Sequence, residues 1–222
     1  MIGRFFVSLG MVALLAVGPA LAQQPAAKPG AAAPTADKAF KVEGFRSARF
    51  GMTEDQIRQA IAKDFKISGD AIQKMEEPTE RTTALLINVR DLLPESGPAV
   101  VAYMMGYKSK KLFRVNVIWG KDIGSDATPE QIVNAANALR NFLAGQGYKP
   151  DSVVMNRPLD NDNVLVFMGT DNQGRLTELV LGLVTEKGEK EGAPPKILGA
   201  NMRLSYVEKP TEPDIYRIPG GF

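Results

Sequence analysis

Two segments of the chain repeat apolar residues at helical spacing. In residues 53–61 the apolar positions are Ile57, Ala60 and Ile61. In residues 128–143 they are Ile132, Ala136, Leu139 and Leu143, with Ala135 and Phe142 widening the stripe. Steps of three and four gather such residues on one helix face. Both stripes follow the same kind of start. Thr53-Glu54-Asp55-Gln56 and Thr128-Pro129-Glu130-Gln131 place a threonine three residues ahead of a glutamine, the spacing of a capping box. Acidic residues in the first turn suit the positive end of the helix dipole, and Pro129 suits the first helical position. Met52 and Ile57 take the two positions of a hydrophobic staple. Gly145 and Gly147 stop the second helix.

Elsewhere the period is two. Residues 82–90 alternate, with Thr83, Leu85, Ile87 and Val89 on one face, and predict a strand. Residues 99–107 and 112–119 predict two more, joined by Lys108-Ser109-Lys110-Lys111. In the latter, Phe113, Val115, Val117 and Trp119 share a face, and Arg114 and Asn116 lie opposite. That is the pattern of an antiparallel strand with one solvated side. After the second helix, residues 152–156 predict a short strand. Residues 164–169 and 176–184 predict a hairpin around Asp171-Asn172-Gln173-Gly174, and residues 201–208 a last strand. Residues 71–75 show no decided period. Residues 185–196 predict a loop, and residues 209–222, with Pro210, Pro213 and Pro219, an extended tail.

The expected fold class is therefore α+β. Two αβββ units, residues 39–127 and 128–208, each pack a helix on an antiparallel meander sheet. The helix starts lie 75 positions apart, and Tyr103-Met104-Met105-Gly106 resembles Phe167-Met168-Gly169. This reads as an internal repeat, although short apolar strands also resemble one another by chance.

Composition places the chain. Arg4, the apolar run 5–17 and Ala20-Leu21-Ala22 have the layout of a cleaved secretory signal at residues 1–22. The run is shorter than the about 20 residues that span a bilayer. The expected mature chain starts at Gln23, has no transmembrane segment and is periplasmic. Residues 23–38 are rich in Pro and Ala and predict a disordered linker. The formal net charge of +2 argues against nucleic acid as a partner. With no His and no Cys, the chain lacks the residues of Ser-His-Asp hydrolysis, of cysteine nucleophiles and of the usual zinc and haem sites. No enzymatic activity and no cofactor are expected.

Gly51-Met52-Thr53, with Gln56-Ile57 and Ala60-Ile61, resembles the G-M-T-x-x-Q-V opening of the small outer-membrane-assembly lipoproteins of the SmpA/OmlA (BamE) group. The helix-then-meander order is similar too. The chain departs from that group in having no lipobox cysteine, no G-x-P after the helix, and two units. The resemblance implies an α+β envelope protein that binds other envelope components. It carries over no binding residue, because the matching positions are structural.

Three function classes are left. The first is a non-enzymatic interaction module of the bacterial cell envelope. Its candidate contacts are the basic hairpin tip of Lys108, Lys110, Lys111 and Arg114, and Arg46 and Arg49 beside Phe45 and Phe50. Such grouped charge suits an acidic protein partner or an anionic lipid surface. The same lysines also suit a solvated turn that protects a sheet edge, and the arginines suit side chains snorkelling outward from the core. The second class is a small-ligand or lipid binder, with a pocket between helices and sheet lined by Met104, Met105, Trp119, Phe167 and Met168. The third is a carboxylate-based cell-wall hydrolase. Its densest acidic site, Asp160 and Asp162, lies in an Asp-Asn-Asp-Asn run that equally reads as a solvated loop.

Overall fold

The structure, a computed structural model, describes residues 40–90, 92–160, 162–186 and 196–218. The expected signal segment, the linker at 23–38 and the terminal Phe222 lie outside the described residues. Among those described, no helix is long and apolar enough to cross a membrane.

Both helix starts form as the capping pattern predicts. Helix α1 is Glu54–Phe65 and helix α2 is Pro129–Ala144. In each, the glutamine at the third position reaches back to the cap. The Thr53 N–H donates to Gln56 Oε1 at 2.9 Å, and the Thr128 N–H to Gln131 Oε1 at 2.8 Å. The threonine hydroxyl accepts from the third helical amide at Thr128, with Gln131 N–H to Thr128 Oγ1 at 3.2 Å. The box at Thr53 is looser, and there the hydroxyl donates to Gln56 Oε1 at 3.4 Å. Helix α1 ends where Lys66 turns left-handed, its N–H donating to the Ala62 carbonyl. The stripes face the core, which buries Ile57, Ala60 and Ile61 of α1 and Ile132, Ala135, Ala136 and Leu143 of α2. Phe142 does not join them. Its ring is 61% exposed, because it projects to the side of the stripe that Ile132, Ala136 and Leu143 define.

A two-residue hairpin, β1 (Gly44–Phe45) with β2 (Ala48–Arg49), precedes α1. The remaining strands are β3 (Gln73–Glu77), β4 (Thr82–Val89), β5 (Ala99–Met105), β6 (Leu112–Gly120), β7 (Val154–Pro158), β8 (Asn163–Thr170), β9 (Leu176–Glu186) and β10 (Lys196–Val207). They form one antiparallel sheet of eight in the order β3-β4-β5-β6-β10-β9-β8-β7. So α+β is correct, and two corrections apply to the finer expectation. Each helix is followed by four strands, not three, and the two meanders join in a single sheet through β6 and β10. That pairing runs from Gly120↔Asn201 to Arg114↔Val207. The undecided residues 71–75 belong largely to β3. As an edge strand with its first four residues exposed, β3 is ordered by its ladder to β4 and leaves no apolar alternation to read. Strand β10 likewise begins five residues before the expected 201, inside what reads as loop, because Lys196, Ile197 and Leu198 are exposed.

The core lies between the helices and one face of this sheet. Leu85, Val101, Tyr103, Val115, Val117, Trp119, Phe167, Leu179, Met202 and Leu204 fill it from the strands. The N-terminal strand residues are tied in by a buried carboxylate. Asp171 Oδ2 accepts from the Val42 N–H at 2.9 Å, and Asp171 Oδ1 accepts from the amides of Gln173 and Arg175 within its own turn. Burying that carboxylate is tolerated because each oxygen has a donor.

Candidate functional site

Strand alternation gives the sheet a second face, on which neither described helix packs. Register places Leu86, Ala102, Asn116, Ser205, Glu178 and Met168 in one cross-strand row. The next row runs Asn88, Val100, Ile118, Arg203, Val180 and Leu165. The hydrophobic core includes no residue of these rows, so neither helix packs on them. The surface has a polar middle on β6, β10 and β9, with partly exposed apolar flanks at Val100, Ile118 and Val180.

Two adjoining grooves run along this middle. One, of about 550 Å³, lies beside Ile118, Asp122, Leu159, Asn163 and Val180. The other, of about 230 Å³, lies beside Arg114, Asn116, Ser205, Val207 and Pro210. Glu178 and Arg203 line both, and Arg203 Nη2 donates to Glu178 Oε1 at 3.2 Å. The pair is half exposed on the Arg203 side, so its net contribution to stability is small. Two other polar atoms in the groove are buried and, among the described residues, have no hydrogen-bond partner: Arg114 Nε and Asn116 Oδ1. One is a charged donor and the other an acceptor, on alternate residues of β6. A buried polar group without a partner costs free energy that a bound partner would return.

The six basic residues singled out in the sequence do not form one patch. Arg114 lies on the open face. Lys108 and Lys111 rim a separate groove of about 520 Å³ with Gly51, Glu208, Glu212 and Asp214. Lys110 is exposed at the same tip, with its Nζ 5.6 Å from the Tyr107 ring. Arg46 and Arg49 line a third cleft, of about 250 Å³, with Phe40, Phe142, Tyr148 and Tyr206. Both arginines there are engaged within the molecule. The Arg46 guanidinium stacks 4.7 Å from the Phe65 ring centre. Arg49 donates to the Arg46 and Ala48 carbonyls and pairs with Glu43 at 3.5 Å. They hold the β1–β2 hairpin in place.

Burial holds the Tyr206 hydroxyl up at about 12. Tyr148, at the same cleft, and Tyr103 in the core are also pushed up by burial. In Tyr103 the charge of Asp64 adds to the effect and that of Arg46 opposes it. All three phenols stay protonated at physiological pH.

The five residues proposed to line one ligand pocket are divided by the sheet. Met105, Phe167 and Trp119 are packed in the core, at 2%, 0% and 1% exposure. Met104 and Met168 are on the open face, paired with Arg114 and Glu178. An apolar groove exists elsewhere, about 520 Å³ between α2 and the loop before β5, lined by Leu93, Pro94, Ala138, Leu139 and Phe142. Asp162 accepts from Thr185 Oγ1 at 3.2 Å, and the Asp160 carbonyl accepts from Asn163 Nδ2 at 3.0 Å. Their role in the structure is to hold a turn. Among the described residues, no three His, Cys, Asp or Glu side chains gather where they could share a metal ion.

Sequence reasoning missed Glu178 and Arg203 as companions of Arg114. Alternation does put Arg114 and Asn116 on the solvated side of β6. Nothing local says that β6 pairs with β10 and β10 with β9, which brings the other two alongside. It also missed Asp214 and Tyr216, which sit in a stretch without period. Comparison with known proteins finds no match to a family model, to a curated protein or to a solved structure.

Proposed function

We propose that this chain is a non-enzymatic interaction module of the bacterial cell envelope, and that the open face of its sheet is the surface that binds. The observation that carries this reading is the pair of buried polar atoms without a partner among the described residues, Arg114 Nε and Asn116 Oδ1, in a groove on a sheet face that neither described helix covers. The occupant that fits is a protein segment. A carboxylate would satisfy Arg114, a backbone or amide N–H would satisfy Asn116, and apolar side chains would cover Ile118 and Val180. Polar groups that find partners only in the complex give specificity. The signal layout of residues 1–22 and the resemblance of residues 51–61 to the BamE group support the envelope as its place.

The two halves are read as one repeated unit. Their capping boxes, and a helix followed by four antiparallel strands in each, support this. In that reading the open face is composite, since β6 ends the first unit and β10 the second.

The test is co-purification from the periplasm of the native host, with unmodified chain and with Arg114→Glu. A partner retained by the first and lost by the second, with both chains folded, supports the reading. Equal retention overturns it. One observation favours a second reading as binder of an apolar small molecule, namely the groove beside Phe142. A non-protein mass released from the native complex on Phe142→Asp would support that reading instead.

A further inference from the structure

Among the described residues, those after β10 contribute none to the core, yet two hairpin tips hold them. Asp214 lies against the tip of the β5–β6 hairpin. The Lys108 N–H donates to its Oδ1 at 2.9 Å and the Ser109 N–H to its Oδ2 at 2.9 Å. The Tyr107 N–H donates to the Asp214 carbonyl at 2.8 Å, and the Tyr216 N–H donates to the Glu80 carbonyl, in the β3–β4 turn, at 2.8 Å. The Tyr216 ring meets the Tyr107 ring edge-on at 5.4 Å, and the Arg81 guanidinium lies 3.8 Å from its centre. Gly106 makes room for this: a Cβ there would fall 2.1 Å from Asp214 Oδ2.

Every one of these contacts is made by a carboxylate, by backbone, or by an aromatic ring two residues later. Two hairpin tips supply the other half. They offer paired amides with lysines around them for the carboxylate, and a tyrosine and an arginine for the ring. We propose that these tips form a recognition site for a protein segment of the pattern acidic–any–aromatic, which the chain's own Asp214-Ile215-Tyr216 fills in cis. Residues 213–216 are half-buried and the rest of 209–218 is exposed, apart from the strand end they follow. A strap held only at the surface can be displaced without unfolding the core. Beside it the groove rimmed by Lys108 and Lys111 stays open, and these lysines favour an acidic segment over a neutral one. The site is distinct from the open face, on which only Pro210 of the tail borders.

The experiment uses the full chain and a fluorescent peptide with the sequence of residues 209–218, KPTEPDIYRI. The chain carrying Asp214→Ala with Tyr216→Ala should bind this peptide at least tenfold more tightly than the unmodified chain. A peptide with both positions changed to alanine should lose the difference. Equal binding by the two chains, or no binding by the folded variant, overturns the proposal. So does a variant that binds anionic phosphatidylglycerol vesicles but not the peptide, which would assign the tip to lipid. If the variant does not fold, hydrogen exchange on the unmodified chain decides. Saturating peptide should speed exchange of the Tyr216 amide while the amides of β5 and β6 stay protected, and an unchanged Tyr216 rate contradicts displacement. None of these readouts involves Arg114, so failure here leaves the open-face reading standing.

Discussion

Thr53 and Thr128 begin helices with the same pattern but not with the same bonds. Thr128 Oγ1 accepts from the Gln131 amide at 3.2 Å, whereas the Thr53 hydroxyl donates to Gln56 Oε1 at 3.4 Å, beside the Thr53 N–H bond to the same oxygen. Removing an acceptor from a helix N-terminus costs about 1 kcal/mol. Thr128→Ala should therefore cost about that much in urea melts, and Thr53→Ala distinctly less. An equal loss for both would mean that the Thr53 hydroxyl caps its helix in solution. Gly106→Ala tests a different residue-scale claim. Its methyl would collide with the Asp214 carboxylate, so the tail should lose hydrogen-exchange protection while β5 stays protected. The capping residues were legible in the sequence, since a helix start is a local matter of spacing. The role of Gly106 was not, because the atom it makes room for lies more than a hundred positions further along the chain.

At the scale of elements, strand alternation divided inner from outer faces correctly for β4 and for β6 from Arg114 onward; at Phe113 a bulge breaks the alternation, and Leu112 joins the core cluster in its place. Alternation failed at β3, whose side chains face solvent on the sheet edge, and at the start of β10 for the same reason. Periodicity reports burial, and an exposed strand has none to report. The hairpin tip behaves similarly. Its lysines were legible as a cluster, but the tail that neutralises part of it was not. Lys108, Lys110 and Lys111 changed together to Ser should leave stability within about 0.5 kcal/mol, read from urea melts. The acid behaviour of the tail follows from Asp214. Its partial burial would raise its carboxyl, but hydrogen bonds from Ser109 and the Lys108 and Ser109 amides, with the charge of Lys108, outweigh that and hold it below the ordinary aspartate range. A lowered carboxyl stabilises the docked form at every pH above its unfolded value and stops doing so as pH falls through the lowered one. The tail should thus stay protected at neutral pH and be released only in acid below the ordinary aspartate range. Release near neutrality, followed through the Tyr216 signals, would refute the assignment of Asp214 as the anchor.

For the whole molecule, the decisive feature is the pairing of β6 with β10, which the chain order does not announce. It merges two meanders into one sheet and makes the core continuous from α1 to α2. Trp119, the single tryptophan, sits fully buried on β6 in that core. Unfolding followed by its emission should therefore coincide with unfolding followed by far-ultraviolet dichroism, as one cooperative transition. Two separate transitions would show that the halves fold independently. The same pairing creates the open face, by setting Arg114 and Asn116 beside Arg203 and Ser205. The account depends most on that face being where a protein partner sits. A photo-crosslinking residue placed at Ile118, on the open face, and at Asn141, on the outer side of α2, tests it in living cells of the host. The account predicts a discrete crosslinked species of higher mass from position 118, absent from position 141 and lost when Arg114→Glu is added. The same crosslink from both positions, or one from position 118 that survives Arg114→Glu, would contradict it.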